Sequence, residues 1–325
     1  MLRMLPSALA TLCILGFASC SESTARDWTA EKDGSPVVAV QVDLSAFADS
    51  QVGKLLIKAG TALAAEELEK DPDEAIKAVI KSLGFDPFEQ EAKLTVTVFD
   101  LEDPIEGLRL NIQLKDTTGN LEGFLLAAPG YRTTKHGTHT VHAVDLDGNK
   151  LFIAFADESS GKKRIIASGN QADVTASLDA MSQPSSQDSA GWKMPAGQFI
   201  SVQLLSPPKE LIEEVPFANI AHLLTESSLS LGEVDDDLVV RLTIGATEEA
   251  KAIQLQQLAQ GAIAMVSLFE DEIRGEFDDE ETVAAVLAVL DDISIERDGM
   301  TVSVETRIPQ DLIIRFLREE AGLSL

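Results

Sequence analysis

Both cysteines of this 325-residue chain, Cys13 and Cys20, lie within its first twenty residues. Everything after Cys20 lacks a thiol, which excludes a disulfide, a zinc–thiolate site and a cysteine nucleophile from the body. A hydrophobic core alone must hold such a body together, and about 300 residues are enough for two domains. The hydrophobic content of 45% favours a folded chain over a disordered one.

The N-terminal leader has the three parts of an export signal. Arg3 supplies the positive charge, residues 9–17 form an apolar segment, and Ala18 and Ser19 are the small residues that a signal peptidase requires. The apolar segment is too short for a transmembrane helix, which needs about 20 apolar residues. The pattern predicts a signal peptide over residues 1–19.

The end of the leader, Phe17-Ala18-Ser19-Cys20, resembles the lipobox of bacterial lipoprotein precursors, although Phe17 replaces the usual Leu. The resemblance implies cleavage between Ser19 and Cys20 and acylation of Cys20, with palmitate among the attached lipids. Ser21 follows the cysteine where an Asp would retain the protein, so enteric-type sorting implies the outer membrane, facing the periplasm or the surface. The alternative is a conventional secretory signal in which Cys20 is incidental.

The rest of the chain divides into four segments. Residues 20–36 are polar and predict a flexible tether, and residues 182–197 predict a linker or long loop. Between and after them we expect two mixed lobes, 37–181 and 198–325, each an antiparallel-rich sheet packed by helices. Strands and helices do not alternate strictly, so an α+β fold is favoured over a doubly wound sheet. The lobes start with similar strands, which leaves an internal duplication open.

Period-two alternation predicts most of the strands. The predicted strands are 37–44, 94–99, 108–114, 138–146, 150–157, 163–168, 199–206, 229–234, 238–244, 293–297 and 300–306. Helices are predicted after Ser45 and after Pro72, from Asn170, from Asn219 to Thr225, from Thr247 to about Phe269, around residues 283–290 and from Pro309. Residues 115–131 are expected to form turns.

The chain is strongly acidic, with a net charge of −28 from 54 acidic and 26 basic side chains. Such a charge repels nucleic acid and anionic membrane surfaces, so nucleic-acid binding is excluded. The negative charge would either attract a basic partner or simply keep the protein soluble in a salty exterior. Aromatic residues make up only 5% of the chain, which disfavours a sugar-binding module.

Three histidines within seven residues, His136, His139 and His142, raise the possibility of a metal site. Along one continuous strand, His139 faces away from the other two, and His136 and His142 are about 20 Å apart. They share an ion only if Gly137 breaks the strand, so we expect polar residues of an edge strand instead. The fourth histidine, His222, lacks the HExxH spacing and is expected to be a capping or surface residue.

Acidic clusters offer weak candidates for calcium. Glu233, Asp235 and Asp237, together with Asp236, could bind the ion loosely, as could residues 278–281. The fragment Asp145–Asn149 resembles the start of a calcium loop but lacks the later Glu, so a hairpin turn is preferred. We prefer solvated turns and helix N-termini for the other clusters too, and expect no resident metal and no cofactor.

Catalytic motifs are missing from the sequence. There is no G-x-S-x-G elbow, no G-x-G-x-x-G and no complete phosphate loop. We therefore expect a non-catalytic, lipid-anchored binding or scaffold protein of the cell envelope, with the membrane and an envelope protein as partners. Two alternatives stay open: a carrier that holds an apolar ligand between helices and sheet, and a hydrolase that uses a pair of carboxylates.

Overall fold

The computed structural model describes residues 36–58, 86, 90–99, 107–116, 118–146, 148–158, 160–182, 194, 197–205, 224–266, 274–275 and 279–321. Its twelve strands are β1 Val38–Asp43, β2 Lys93–Val98, β3 Leu108–Leu114, β4 Arg132–His136, β5 His139–Leu146, β6 Asn149–Asp157, β7 Lys163–Ser168, β8 Gln198–Leu204, β9 Leu224–Val234, β10 Asp237–Ala246, β11 Ser294–Asp298 and β12 Thr301–Ile308.

The described residues also form seven helices. They are α1 Leu44–Asp49, α2 51–58, α3 Leu121–Leu126, α4 Gln171–Ser182, α5 Glu249–Val266, α6 Glu280–Asp291 and α7 Gln310–Ala321.

All twelve strands belong to one antiparallel sheet in the order β11-β12-β10-β9-β8-β1-β2-β3-β7-β6-β5-β4. The α+β class is confirmed, but the prediction of two lobes with separate sheets is wrong. The first strands of the two predicted lobes pair with each other, from Val38 opposite Leu204 to Val42 opposite Ile200. This pairing satisfies the backbone groups that two separate sheets would each leave unpaired at an edge.

The two faces of the sheet differ in chemistry. Residues paired across neighbouring strands share a face, so the register defines each face. On the apolar face, the row through Val40 consists of Ile295, Val304, Leu242, Leu229, Val202, Val40, Val96, Leu110, Ala167, Ile153, His142 and, at the β4 edge, Thr133. On the polar face, the row through Gln41 consists of Ser294, Glu305, Arg241, Ser230, Ser201, Gln41, Thr95, Asn111, Ile166, Ala154, Val141 and Thr134.

The described helices cover the faces unequally. The apolar face packs against Leu121 and Leu125 of α3 at one side of the sheet and against α5, α6 and α7 at the other. On the polar face, α4 packs Val174 and Leu178 onto Val141, Ala154 and Ile166.

Several predicted elements need correction. Residues 136–142 are not one strand, because Gly137 adopts a φ of 56° and turns the chain between β4 and β5. The helix α3 lies in the segment expected to form turns, and Asp43, not Ser45, caps α1. In the helix predicted from Asn219 to Thr225, the last two residues belong to β9 and the others lie outside the described residues.

Candidate functional site

A bulge in β8 lies near the middle of the sheet. Gln198 pairs with Gly232 and Ile200 with Leu231, which leaves Phe199 as the extra residue. The Phe199 ring packs edge-on against Phe47 of α1, with 5.4 Å between the ring centres. Gly232 permits the close approach of the strands, because a Cβ there would lie 2.4 Å from the Gly197 carbonyl oxygen.

The side chain of Glu233, one residue further along β9, caps a helix. Its two carboxylate oxygens each accept a hydrogen bond of 2.9 Å, from the amides of Gln51 and Val52 at the start of α2. These amides have no partner within the helix, and the positive end of the helix dipole favours a carboxylate there. Glu233 thereby fixes the start of α2 beside the β8 bulge.

A cleft of about 450 Å³ lies between α1 and the bulge. Its lining includes the carboxylates of Asp43, Asp49 and Glu233 and one cation, Lys93, which lies 3.0 Å from Asp43. Burial raises the pKa of Asp43, but hydrogen bonds from the Ala46 amide and from Lys93 and Ser45 outweigh it, so the net pKa is lowered. Asp43 therefore stays ionised, and the described residues that line the cleft carry net negative charge.

Three side chains of β8 leave a buried atom without a hydrogen-bond partner: Gln198 Oε1, Ser201 Oγ and Gln203 Oε1. All three lie on the polar face, and Gln198 also lines the cleft. Ser201 is 0% exposed and Gln203 is 8% exposed. Native proteins satisfy most buried polar atoms, so three unsatisfied atoms along one strand mark a place where hydrogen bonds remain to be made.

Arg109 also lies on the polar face, on β3, which is separated from β8 by β1 and β2. In the row next to that of Gln41, the register runs Gln203, Ala39, Thr97, Arg109. The buried Nε of Arg109 has no partner, whereas Nη1 donates to Ser177 of α4 at 3.4 Å and the guanidinium lies 4.7 Å from the Phe99 ring centre. Burial lowers the pKa of Arg109, although Asp173 opposes that shift.

The predicted calcium candidates have other roles in this structure. Glu233 is occupied by the two amides of α2. Asp235 and Asp236, with φ of 53° and 70°, form the two-residue turn between β9 and β10, and Asp237 begins β10. Within the described ranges, no three His, Cys, Asp or Glu side chains form a group that could hold a metal.

The other acidic candidates act as local caps. Asp145 accepts a hydrogen bond of 2.8 Å from the Gly148 amide, as the preferred hairpin turn requires. Asp279 accepts hydrogen bonds from the amides of Glu281 and Thr282 at the start of α6, while Asp278 lies outside the described residues. Ser19 and Cys20, the predicted cleavage and lipidation residues, also lie outside them, as does most of the predicted linker 182–197.

His142 is a buried polar residue on the apolar face. It is 4% exposed, its Nδ1 lies 3.0 Å from the Tyr131 hydroxyl, and its Nε2 lies 3.7 Å from Glu122 of α3. Burial lowers the pKa of His142, with Glu122 raising it and Lys135 lowering it further. The sequence pattern identified His142 as a strand residue, but α3 and its Glu122 were not predicted.

Comparisons with known proteins find little. No protein-family model matches the chain, and no curated protein matches it. Among solved structures, the chain is similar to TP0453 in crystal form III, with a TM-score of 0.40 and 9% identity over 89% of this chain and 95% of that chain. It is also similar to TP0453 in crystal form IV, with a TM-score of 0.41 and 10% identity over 89% of this chain and 92% of that chain. Likeness at this level carries no information about activity, ligand or partner.

Proposed function

We propose that this protein is a non-catalytic binding protein of the cell envelope, tethered through acylated Cys20, whose polar ligand binds the polar face at β8. The observation that carries the proposal is the set of buried, unpartnered atoms of Gln198, Ser201 and Gln203. Each unmade hydrogen bond of a buried polar group costs about 1–3 kcal/mol in the free protein. A ligand that makes these bonds recovers that free energy on binding.

The available groups define the chemistry of the ligand. Two of the three atoms are amide oxygens, which only accept hydrogen bonds, so the ligand presents N–H or O–H donors to them. Among the described residues that line the adjoining cleft, carboxylates outnumber cations. These features favour a neutral or positively charged polar molecule, or a basic segment of an envelope protein, over an anion.

The charge state of the cleft supports binding over catalysis. Asp43 has a lowered pKa and pairs with Lys93, so it is a poor proton donor at neutral pH. A hydrolase that uses two carboxylates needs one of them protonated at the working pH.

The proposed location depends on the lipid. No helix within the described part of the chain is long and apolar enough to cross a membrane. Acyl groups on Cys20, followed by the polar tether, would hold the body at the outer membrane. Mass spectrometry of the intact N-terminal peptide tests the anchor, because an unmodified cysteine there would contradict it.

The binding proposal is tested by native mass spectrometry of protein released gently from its own membranes. We expect a non-covalent passenger on the wild-type protein and its loss in the double variant Ser201→Ala, Gln203→Leu. The matched control Thr243→Val, Ser303→Ala changes two residues of the polar face on β10 and β12 and should keep the passenger. The proposal is contradicted if both double variants retain the passenger equally. It is also contradicted if no passenger is found on the wild-type protein or on either double variant.

One observation favours a second candidate, an apolar-ligand carrier. Val40, Val96, Val202 and Leu229 are neighbours in the middle of the apolar face, are only partly buried, and join none of the core clusters formed by the described residues. An acyl chain would complete the burial of such a strip. The same mass spectrum decides between the two candidates: a lipid-sized passenger that survives Ser201→Ala, Gln203→Leu favours the carrier.

A further inference from the structure

The turn at Gly137 brings two histidines together. His136 and His139 are directly paired across the β4–β5 hairpin, so their side chains lie on the same face with Cα atoms about 5 Å apart. Gly137 adopts the left-handed conformation, which is the conformation that a two-residue hairpin turn beginning with glycine requires. His142, three residues beyond His139, points to the opposite face.

A carboxylate from α4 orients the first of these imidazoles. Asp179 Oδ1 lies 2.7 Å from His136 Nε2, which is hydrogen-bond distance. If Nε2 carries the proton, the Nδ1 lone pair of His136 is free to bind a cation. Histidines that bind metals usually donate their second ring N–H to a carboxylate in this way.

The surroundings leave the pair accessible. His139 is partly exposed and the side chain of His136 is about one-third exposed. Lys135, the nearest cation in sequence, points to the other face and donates a hydrogen bond to Thr140 at 2.7 Å. Asp179, in contrast, places a carboxylate beside His136.

We propose that His136 and His139 form a two-histidine site for a divalent transition-metal ion such as Zn²⁺, with Asp179 as the residue that positions His136. Neutral imidazole suits zinc, copper and nickel among the common ions. Two protein ligands leave the remaining coordination positions to water, which agrees with the finding that no third ligand converges there within the described residues. The site is independent of the polar-face binding site.

The first experiment is titration of the full chain with ZnCl₂, followed by calorimetry. We expect one saturable Zn²⁺ in the wild type and its loss in His136→Gln, His139→Gln. The matched control is His222→Gln, which removes the chain's remaining histidine outside this segment and should leave binding unchanged. A Zn²⁺-binding event of the wild-type stoichiometry and affinity in the double variant would belong to another site and would overturn the proposal.

The positioning role of Asp179 has its own readout. Replacement of such a carboxylate lowers metal affinity about 10–100-fold, and we expect this of Asp179→Asn. Imidazole ¹⁵N spectra without metal should show the Nε2–H form of His136 in the wild type and a mixed population in Asp179→Asn. An unchanged tautomer together with unchanged affinity would show that Asp179 does not position His136.

Discussion

Strands β7 and β8 differ in how their side chains are buried on the two faces of the sheet. In β7, the neighbouring residues Ile165 and Ile166 point to opposite faces, and both are buried beneath described side chains, near α3 and α4 respectively. In β8, Val202 on the apolar face is only partly buried, and its neighbour Ser201 on the polar face is buried without a partner. The difference is that β7 is packed on both faces, whereas β8 leaves buried hydrogen-bonding atoms without partners.

The largest expected effect is in β7. Ile166→Ala removes a fully buried side chain beneath Val174 and Leu178 of α4, and such truncations cost about 2–5 kcal/mol in the free energy of unfolding. Urea denaturation followed by circular dichroism measures this cost. A loss below 1 kcal/mol would mean that α4 does not depend on its contacts with β7, and the comparison with β8 would fail.

The second largest effect on stability is expected at the contact between β9 and α2. Glu233→Gln loses the charge of the group that accepts both helix amides, and hydrogen bonds to charged groups contribute about 1.5–3 kcal/mol. The matched control is Asp235→Asn in the adjacent turn, since Asn also tolerates the left-handed conformation. Equal unfolding free energies for the two variants would show that the cap contributes nothing.

A pH effect is expected on the apolar face. The pKa of His142 is lowered in the folded protein, so the unfolded chain, with a pKa near 6.5, takes up a proton first as the pH falls. Stability due to neutral His142 is therefore present above pH 6.5 and is lost as the pH falls towards its folded pKa. Urea midpoints at several pH values between 7.5 and 5 should fall in the wild type and fall less in His142→Gln.

The control for this prediction is His139→Gln, which changes a partly exposed histidine on the other face and should keep the wild-type dependence on pH. If His142→Gln also keeps it, groups other than His142 cause the loss of stability.

The smallest expected effect, and the most informative for β8, is an increase in stability. Ser201→Ala removes a buried hydroxyl that has no partner, so we expect the free protein to gain about 1 kcal/mol of stability. Ser303→Ala, a partly buried position on the same face, should change stability by less than about 0.5 kcal/mol. A destabilised Ser201→Ala variant would show that the hydroxyl already makes a favourable interaction.

Local patterns were enough to predict most of the sheet. Alternation identified β1, β3, β6 and β7 to within a residue or two, because a half-buried strand must alternate its side chains. The pairing of β1 with β8 could not be predicted, since it joins residues about 160 positions apart and any exposed edge strand could have been the partner. The short β4 was not among the predicted strands, and the histidine argument treated residues 136–142 as one strand, although a glycine at position 137 suits the first place of a two-residue hairpin turn.

The candidate site was harder to predict than the strands, because its contacts join residues that are far apart in the sequence. Glu233 stood out only as one acid among several, and its role requires amides 181 and 182 residues away. Ser201 and Gln203 alternate with Ile200 and Val202, so the polar face of β8 was visible in the sequence, but the lack of partners was not. Pairing partners, and their absence, are properties of the assembled sheet.

Among the described strands, β11 and β4 stand at the two ends of the sheet order and are the shortest, with five residues each. Both are rich in charge: β4 reads RTTKH and β11 reads SIERD. Short, charged edges resist the strand-to-strand growth by which open sheets polymerise into fibrils. A lipid tether would concentrate many copies in two dimensions, and these edges would let the molecules crowd there without joining into a continuous sheet.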